Sequence, residues 1–232
     1  MILTAHQPAY LPWLGLFHKI ALADVYIYMD DVKYSKSDYS NRNLIKDLQG
    51  GKRWLTVPLK TGGSDSISFD KLTIDNTQPW QRKHWNLIRL TYMKAPYFDK
   101  YATFFENVYL QTWRRLVDLN EYMLRWFLEV LDIRVDIRKS SDCNFSGSKS
   151  DLVLDMCKKL GANRYIFGEN GTKYADVESF AQENVDLHFQ KYNHPTYSQI
   201  NGGFVSHLSI MDLLFNCGDK SRDILLSNNL VK

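Results

Sequence analysis

The fold is decided in the first stretch of the chain, residues 1–31, which reads MILTAHQPAYLPWLGLFHKIALADVYIYMDD. Residues 2–5 are a short apolar run that stops at a polar pair, as a buried strand does. Two prolines follow and keep their predecessors extended, after which the apolar spacing of residues 13–23 predicts a helix. Residues 24–29 are β-branched and aromatic, which predicts a second strand. Strand, loop, helix and strand in this order open a parallel α/β unit.

Two polar pairs come directly after the predicted strands: His6-Gln7 after the first and Asp30-Asp31 after the second. Because parallel strands bring their carboxyl ends to one edge of a sheet, we expect these four side chains to lie near one another. A histidine there suits a general base or a hydrogen-bond donor to a phosphate, and the alternative is that it only fixes the conformation of the loop. The aspartates suit holding a metal, orienting His6 or binding a ribose hydroxyl, and the alternative is turn formation or capping.

Residues 32–43 form a polar stretch that is long for a loop, and such loops are often functional. Lys36 and the triplet Asn41-Arg42-Asn43 bring cations and amide donors together in it. These groups suit a phosphate or a carboxylate, which Arg binds through two parallel hydrogen bonds. The alternative is a solvated charged loop. Because asparagine is disfavoured in central strands, the triplet favours binding.

The rest of the chain alternates between helical and strand patterns, with a helical insertion at about residues 79–131. The pair Gly50-Gly51 lies between two strand patterns and predicts a β-hairpin. Further helices are predicted over residues 80–93, 99–117, 120–131, 151–160 and 209–216, and further strands over residues 43–47, 53–59, 69–74, 133–137, 164–167 and 185–189. We therefore predict an α/β fold: a mainly parallel, Rossmann-like sheet with flanking helices, a β-hairpin and a helical insertion, in a single domain of residues 1–232.

Composition excludes several classes of protein. The chain has 232 residues, a formal net charge of +3, 14% aromatic residues and three cysteines. The aromatic content excludes disorder, and three cysteines without a CxxC pair argue against a disulfide framework or a structural zinc site. With no signal-peptide pattern and no long apolar run, we expect a cytoplasmic protein without a membrane span. The small charge permits an anionic ligand without requiring DNA or RNA, and the aromatic helices leave homo-oligomer formation open.

A second polar and aromatic segment lies near the C-terminus and contains Tyr192, His194, Tyr197 and Gln199. His194 is a further candidate base. A protease-type pair can also be drawn from His194 and Cys217, although Cys217 precedes a glycine at a helix end, where packing is the simpler interpretation.

Six blocks span nearly the whole chain: HQPAYLPWLGLFHKIALADVYIYMDDVKYSK, NRNLI, RWLTVPL, YMKAPYF, YNHPTYSQ and LSIMDLLFNCG. In content and order these blocks resemble the WbqC-like family, which is found in bacterial surface-polysaccharide gene clusters. The resemblance implies a transferase of O-antigen biosynthesis, with acyl or aminoacyl (glycyl) transfer to the amine of a nucleotide-linked amino sugar. The alternatives are a non-catalytic sugar-nucleotide-binding protein of the same pathway and a cysteine-dependent hydrolase.

The resemblance also carries site residues. They are His6, Gln7, Tyr10, Trp13, Asp30, Asn41, Arg42 and Asn43 from the N-terminal motif, and Tyr192, His194 and Gln199 from the C-terminal motif. Asp31 and Lys36 complete the expected substrate-binding set. The chain departs from the family pattern at Glu169-Asn170, where small residues are expected.

The chemistry assigns roles to these residues. Amide formation needs a deprotonated amine, so we assign His6 as the base, oriented by Asp30. Arg42 and Lys36 would hold the pyrophosphate or the anionic group of the acyl donor. The donor, and any need for ATP or a metal ion, stays open. Stacking on the sugar or base is expected of the loop aromatics: Tyr10, Trp13, Tyr34, Tyr39, Tyr192 and Tyr197.

Overall fold

A computed structural model describes residues 1–36, 38–60 and 67–229. Its centre is a five-stranded parallel sheet of β1 (Ile2–His6), β2 (Val25–Tyr28), β5 (Asp136–Lys139), β6 (Arg164–Phe167) and β7 (Asp186–Phe189). The strand order is β5-β2-β1-β6-β7. The predicted α/β class and parallel sheet are confirmed, and β6 has the predicted bounds.

The pairing of β1 with β2 defines the carboxyl edge of the sheet. His6 is the register partner of Tyr28, so both strands end at the same level. The backbone N–H of Met29 then donates to the carbonyl of His6 at 3.0 Å. Since β1 is the central strand, His6 lies in the middle of this edge.

The predicted hairpin is present as a separate two-stranded antiparallel sheet. It consists of β3 (Arg42–Lys46) and β4 (Lys52–Thr56). The turn contains Gly50 at φ +85°, where a Cβ would lie only 2.7 Å from the carbonyl oxygen of Asn201. Glycine is therefore needed both for the backbone conformation and for the close approach of the second chain segment.

Eight α-helices surround these sheets in the described ranges. They are α1 (Leu14–Ala21), α2 (Trp80–Tyr92), α3 (Phe98–Leu110), α4 (Leu116–Val130), α5 (Lys149–Leu160), α6 (Val177–Gln182), α7 (Ile210–Cys217) and α8 (Ser221–Leu226). The insertion is confirmed as α2–α4. Within the described residues, no helix has the length and apolar run that a bilayer span requires.

One predicted helix and one predicted strand were wrong, for a shared reason. The helix predicted over residues 99–117 is interrupted, because α3 ends at Leu110 and the next segment pairs with residues 72–74 instead. Thr73 forms a β-bridge with Arg115, and the N–H of Leu116 donates to the carbonyl of Leu72 at 3.1 Å. The strand predicted over residues 69–74 contributes only such isolated bridges and a short 3₁₀ turn. Long-range pairing thus overrides the helical spacing. The six-residue helices α6 and α8 were not predicted.

The two faces of the sheet carry two separate apolar cores. Leu3 and Val25 belong to a smaller core with residues of α5 and α6. Tyr26 and Tyr28, which alternate with them, belong to a larger core with α1, α7 and the insertion. Most aromatic residues of the insertion help to build that larger core, so they serve packing.

Candidate functional site

His6 has one open ring nitrogen at the carboxyl edge of the sheet. Its Nδ1 lies 2.7 Å from the carbonyl oxygen of Gln7, which can only accept, so Nδ1 carries the proton and Nε2 is an acceptor. Although part of the side chain reaches solvent, desolvation and the charge of Lys19 lower the pKa of His6 to about 3. The imidazole is therefore neutral at pH 7, and its Nε2 has no partner in the part of the chain that the structure describes.

A row of aromatic rings leads outward from His6; we call His6, Trp13, Tyr39 and Trp54 the ring chain. The centroids of His6 and Trp13 are 5.3 Å apart in an edge-on contact. Trp13 and Tyr39 are 5.5 Å apart, and Tyr39 and Trp54 are 5.8 Å apart. All three separations are those of interacting aromatic pairs. The ring chain thus connects the sheet edge to the hairpin.

Arg42 closes the outer end of the ring chain. Its guanidinium carbon lies 4.8 Å from the centroid of Trp54, a cation–π contact. Its Nε is buried without a hydrogen-bond partner, and no carboxylate pairs with it among residues 1–36, 38–60 and 67–229. A cation held in place by an aromatic face, without a counter-ion, is suited to bind an anion.

Several polar groups in and beside the ring chain also have no hydrogen-bond partner. The indole N–H groups of Trp13 and Trp54, the hydroxyl of Tyr39 and the side-chain amide of Gln7 make no hydrogen bond within the described ranges. By contrast, Trp113 in the insertion donates its indole N–H to the carbonyl of Val108 at 2.8 Å. Unused donors beside half-exposed rings are features of a ligand-binding surface.

The C-terminal motif reaches the ring chain at Gly15. A Cβ on Gly15 would lie 3.3 Å from ring atoms of both Trp13 and Tyr192, so the small residue lets the two rings approach. The hydroxyl of Tyr192 is directed away and donates to the carbonyl of Leu225 at 3.0 Å. The rings of Trp13 and Tyr192 therefore both border Gly15.

His194 lies behind Tyr192, and both of its ring nitrogens are occupied. Its Nδ1 is 2.9 Å from the carbonyl of Pro195, and its Nε2 accepts from the N–H of His207 at 3.2 Å. This pattern fixes the neutral tautomer, and burial lowers the pKa of His194. Because both nitrogens are hydrogen-bonded, only the face of the ring can contact a ligand. His194 therefore does not fit the expected role of a further base.

Asp30 and Asp31 lie at the same edge but face β5. Asp30 accepts from the N–H of Ser141 at 3.0 Å and from its hydroxyl at 2.8 Å. Ser140 donates to both carboxylates. The oxygen atoms of Asp30 thus fix the segment after β5 and make no bond to His6, whose ring is oriented by Gln7 instead. No metal-binding group of three or more His, Cys, Asp or Glu occurs within the described residues.

Tyr10 is fully buried, which differs from the stacking role expected for it. Its hydroxyl is 2.8 Å from Nδ1 of His84 and 2.6 Å from the hydroxyl of Tyr109. The ring therefore anchors the proline-rich loop to the insertion and offers no surface to a ligand.

The two asparagines beside Arg42 also act within the fold. The amide of Asn43 donates to the carbonyl of Leu11 at 2.7 Å, and that of Asn41 donates to the carbonyl of Val57 at 2.9 Å. They hold Arg42 and the proline-rich loop in position. Lys36 is exposed in the preceding loop, and its positive charge opposes the rise that burial causes in the pKa of Tyr34.

Gln199 belongs to a buried polar cluster that we call the Asp212 network, with Lys46, Tyr92 and Tyr197. Asp212 accepts from Tyr92 at 2.9 Å and from both Tyr197 and Gln199 at 2.8 Å. Lys46 donates to Gln199 at 3.2 Å. Burial raises the pKa of Asp212, and its hydrogen-bond donors oppose that shift. The network joins the hairpin to α7.

Trp54 and Lys19 are relevant residues that sequence reasoning missed. Leu55 is buried in β4, so strand alternation places its neighbour Trp54 on the outer face, and this signal was available. Lys19 lies within the buried helix α1, where its Nζ donates to the carbonyl of Ala5 at 2.9 Å. Burial lowers the pKa of Lys19 to about 8. Nothing in the local pattern of α1 distinguishes a buried lysine from an exposed one.

Cys217 does not have the properties of a nucleophile. It is buried at the end of α7, and burial raises the pKa of its thiol to about 11. Reactive cysteines have a lowered pKa instead.

Fold and site define the class: an α/β protein with a parallel sheet, whose carboxyl edge carries an aromatic, partly exposed surface beside an unpaired arginine. The chain belongs to the WbqC-like protein family, which it matches over residues 7–224. It is similar to Uncharacterized protein Rv1507c of Mycobacterium tuberculosis (strain ATCC 25618 / H37Rv), with 32% identity over 221 residues, 94% of this chain and 95% of that protein. No solved structure gives a significant match.

Proposed function

We propose that this protein is a transferase of bacterial surface-polysaccharide biosynthesis that joins an acyl or aminoacyl group to the amine of a nucleotide-linked amino sugar. The observation that carries the proposal is the ring chain, which runs from the open Nε2 of His6 to the unpaired guanidinium of Arg42. Membership of the WbqC-like family supports the pathway. We place the reaction in the cytoplasm.

The ring chain suits a sugar nucleotide because that ligand combines three parts. The apolar face of a sugar ring and the face of a base both pack on aromatic side chains, and the diphosphate needs a cation. The described surface offers rings at Trp13, Tyr39 and Trp54 and a cation at Arg42. The unused N–H and O–H groups beside them suit sugar hydroxyls.

His6 would act on the amine through hydrogen bonding. Its neutral Nε2 accepts an N–H of the amine and directs the nitrogen lone pair toward the acyl carbon. The new C–N bond forms as the bond to the donor's leaving group breaks. A ring with a pKa of about 3 holds a proton weakly, so the amine proton passes on to the leaving group or to solvent.

The same low pKa supports a second candidate, a non-catalytic sugar-nucleotide-binding protein. Such a protein uses every contact of the ring chain but needs no base. The two candidates differ only in turnover.

The test is mass spectrometry of a UDP-linked amino sugar incubated with the protein, in parallel with glycine, ATP and Mg²⁺ or with an acyl-CoA. If the protein is a transferase, the sugar nucleotide gains the mass of the acyl group. We expect His6→Ala to lower turnover by roughly 10²–10⁴-fold while the circular dichroism spectrum stays unchanged.

His188→Ala is a matched control in β7, and we expect its turnover to be unchanged. Binding of the sugar nucleotide without a mass gain under any donor would support the second candidate. Full turnover in His6→Ala would remove His6 from the mechanism.

A further inference from the structure

Trp54 and Tyr39 form the outer half of the ring chain and are its most solvent-accessible rings. Their side chains are 45% and 43% exposed, although both are large and aromatic. Their planes are inclined by 36°, so the two rings form a tilted pair. Adjacent exposed aromatic faces are features of a binding surface for a flat ligand.

Arg42 differs from the arginines that form ion pairs in the described structure. Those arginines are Arg115, Arg125, Arg134, Arg138 and Arg164. Arg42 instead lies against Trp54 and is only partly exposed, with its Nε desolvated and unpaired. An unsatisfied, buried N–H of a charged group is costly. A bound anion would neutralise this charge through the other N–H groups of the guanidinium.

The two ends of the ring chain differ in charge. On β4, Lys52 and Arg53 precede Trp54 and are exposed; together with Arg42 they outnumber the exposed Asp38 beside Tyr39, so the hairpin end has a net positive charge. At the other end His6 is neutral, and Lys19 is buried against the carbonyl of Ala5. An anionic group is therefore favoured at the hairpin end.

We infer that the ligand binds in one direction: the nucleoside diphosphate half at Trp54, Tyr39 and Arg42, and the sugar at Trp13 and His6. This inference rests on the proposed function and adds the direction. The base packs on the rings of Trp54 and Tyr39, and the diphosphate binds the guanidinium. The sugar then directs its amine and hydroxyls to Nε2 of His6 and to the amide of Gln7. The three ring-to-ring steps of 5.3, 5.5 and 5.8 Å suit an extended ligand.

Stacking makes no hydrogen bonds to the edge of a base, so the surface binds a nucleoside diphosphate without distinguishing one base from another. We expect UDP, ADP and GDP to bind within roughly tenfold of one another. AMP or UMP, with a single phosphate, should bind more weakly because they present less negative charge to the cations at the hairpin end.

The test is calorimetric titration of UDP, inorganic pyrophosphate and a UDP-linked amino sugar against four variants. Trp54→Leu weakens UDP binding roughly 5–100-fold, because the stacking surface is lost. It weakens pyrophosphate binding by a smaller factor, because the ring that positions the Arg42 guanidinium is lost as well. Arg42→Gln lowers the affinity for both UDP and pyrophosphate. Trp13→Leu leaves the affinity for UDP unchanged and lowers only the affinity for the UDP-linked sugar. Trp54→Phe keeps a ring and retains affinity within about threefold. The unfolding transition of each variant shows that it is folded.

The outcomes separate the direction from the proposed function. Weaker UDP binding in Trp13→Leu than in Trp54→Leu would overturn the direction. Unchanged UDP affinity in Trp54→Leu would overturn the stacking role while sugar-nucleotide binding survives. Failure of the wild-type protein to bind UDP and the UDP-linked sugar would overturn the inference together with the proposed function.

Discussion

The ring chain and the Asp212 network are two polar and aromatic regions that the sequence presents in the same way, and the structure separates them. In the Asp212 network, the carboxylate accepts from three side chains, and the amide of Gln199 uses both its oxygen and its nitrogen. In the ring chain, Nε2 of His6 and two indole N–H groups have no hydrogen-bond partner within the described ranges, and neither has the Nε of the adjoining Arg42. A satisfied cluster stabilises the fold, whereas an unsatisfied and accessible one is available to a ligand.

The largest effect is expected in the Asp212 network. Asp212→Leu leaves the hydroxyls of Tyr92 and Tyr197 buried without an acceptor, while the amide of Gln199 keeps only its bond to the carbonyl of Val205. We expect the free energy of unfolding in urea to fall by about 3–5 kcal/mol. Asp212→Asn, which keeps the shape and one acceptor oxygen, should lose less.

The matched control for this variant is Asp219→Asn, since Asp219 forms an exposed ion pair with Lys100. Its loss should be below about 1 kcal/mol. Equal effects of Asp212→Leu and Asp219→Asn would show that the network does not stabilise the fold and would remove the contrast.

Tyr39→Leu tests the ring chain from the other side. We expect the affinity for a UDP-linked amino sugar to fall by about 1–3 kcal/mol, because a stacking surface is lost. The free energy of unfolding should change by less than about 0.5 kcal/mol, since Tyr39 is 43% exposed. The control is Tyr122→Leu, because Tyr122 is 42% exposed on the insertion. A loss of affinity in Tyr122→Leu alone would move the ligand site to the insertion.

The low pKa of His6 makes stability depend on pH. Its folded-state pKa of about 3 lies below the unfolded value of 6.5, so between these values the unfolded chain binds more protons. This contribution is fully present above pH 6.5 and is lost as pH falls toward 3. Between pH 7 and pH 5, the free energy of unfolding of the wild type should fall by about 1–2 kcal/mol more than that of His6→Gln. Parallel pH profiles of the two proteins would contradict this assignment.

His194→Gln should have the smallest effect. Both ring nitrogens of His194 serve the loop, so we expect the free energy of unfolding to fall by about 1 kcal/mol. Affinity for the UDP-linked sugar should stay within twofold of wild type, measured by calorimetry. A loss comparable to that of Tyr39→Leu would extend the ligand site to His194.

Much of the architecture follows from local pattern. The opening β1-α1-β2 unit, the hairpin and the insertion were predictable because prolines, glycines and apolar spacing act over a few residues. Residues 111–115 were not, because their conformation depends on pairing with residues 72–74, which are distant in sequence. The helix-like spacing of Trp113 and Leu116 carries no trace of that pairing.

The site was predictable only in part. Strand ends correctly indicated the position of His6 at the carboxyl edge of the sheet, whereas the ligand contacts of Trp13 and Tyr39 stay a prediction. The sequence did not distinguish Tyr10 from Trp13, because burial by α2 and α3 is decided by packing far along the chain. It likewise did not show that Asp30 would bind Ser140 and Ser141, since β5 lies more than a hundred residues away. Which polar group stays unused is a property of the whole fold.

The most direct test of the ring chain as the ligand site is ¹⁹F NMR of the protein labelled with 5-fluorotryptophan, titrated with a UDP-linked amino sugar. The chain has six tryptophans, so each resonance can be assigned by single Trp→Phe variants. We predict that Trp13 and Trp54 shift on binding, while Trp80, Trp85, Trp113 and Trp126 of the insertion stay in place. Saturable shifts at Trp113 and Trp126 with none at Trp13 and Trp54 would contradict the account.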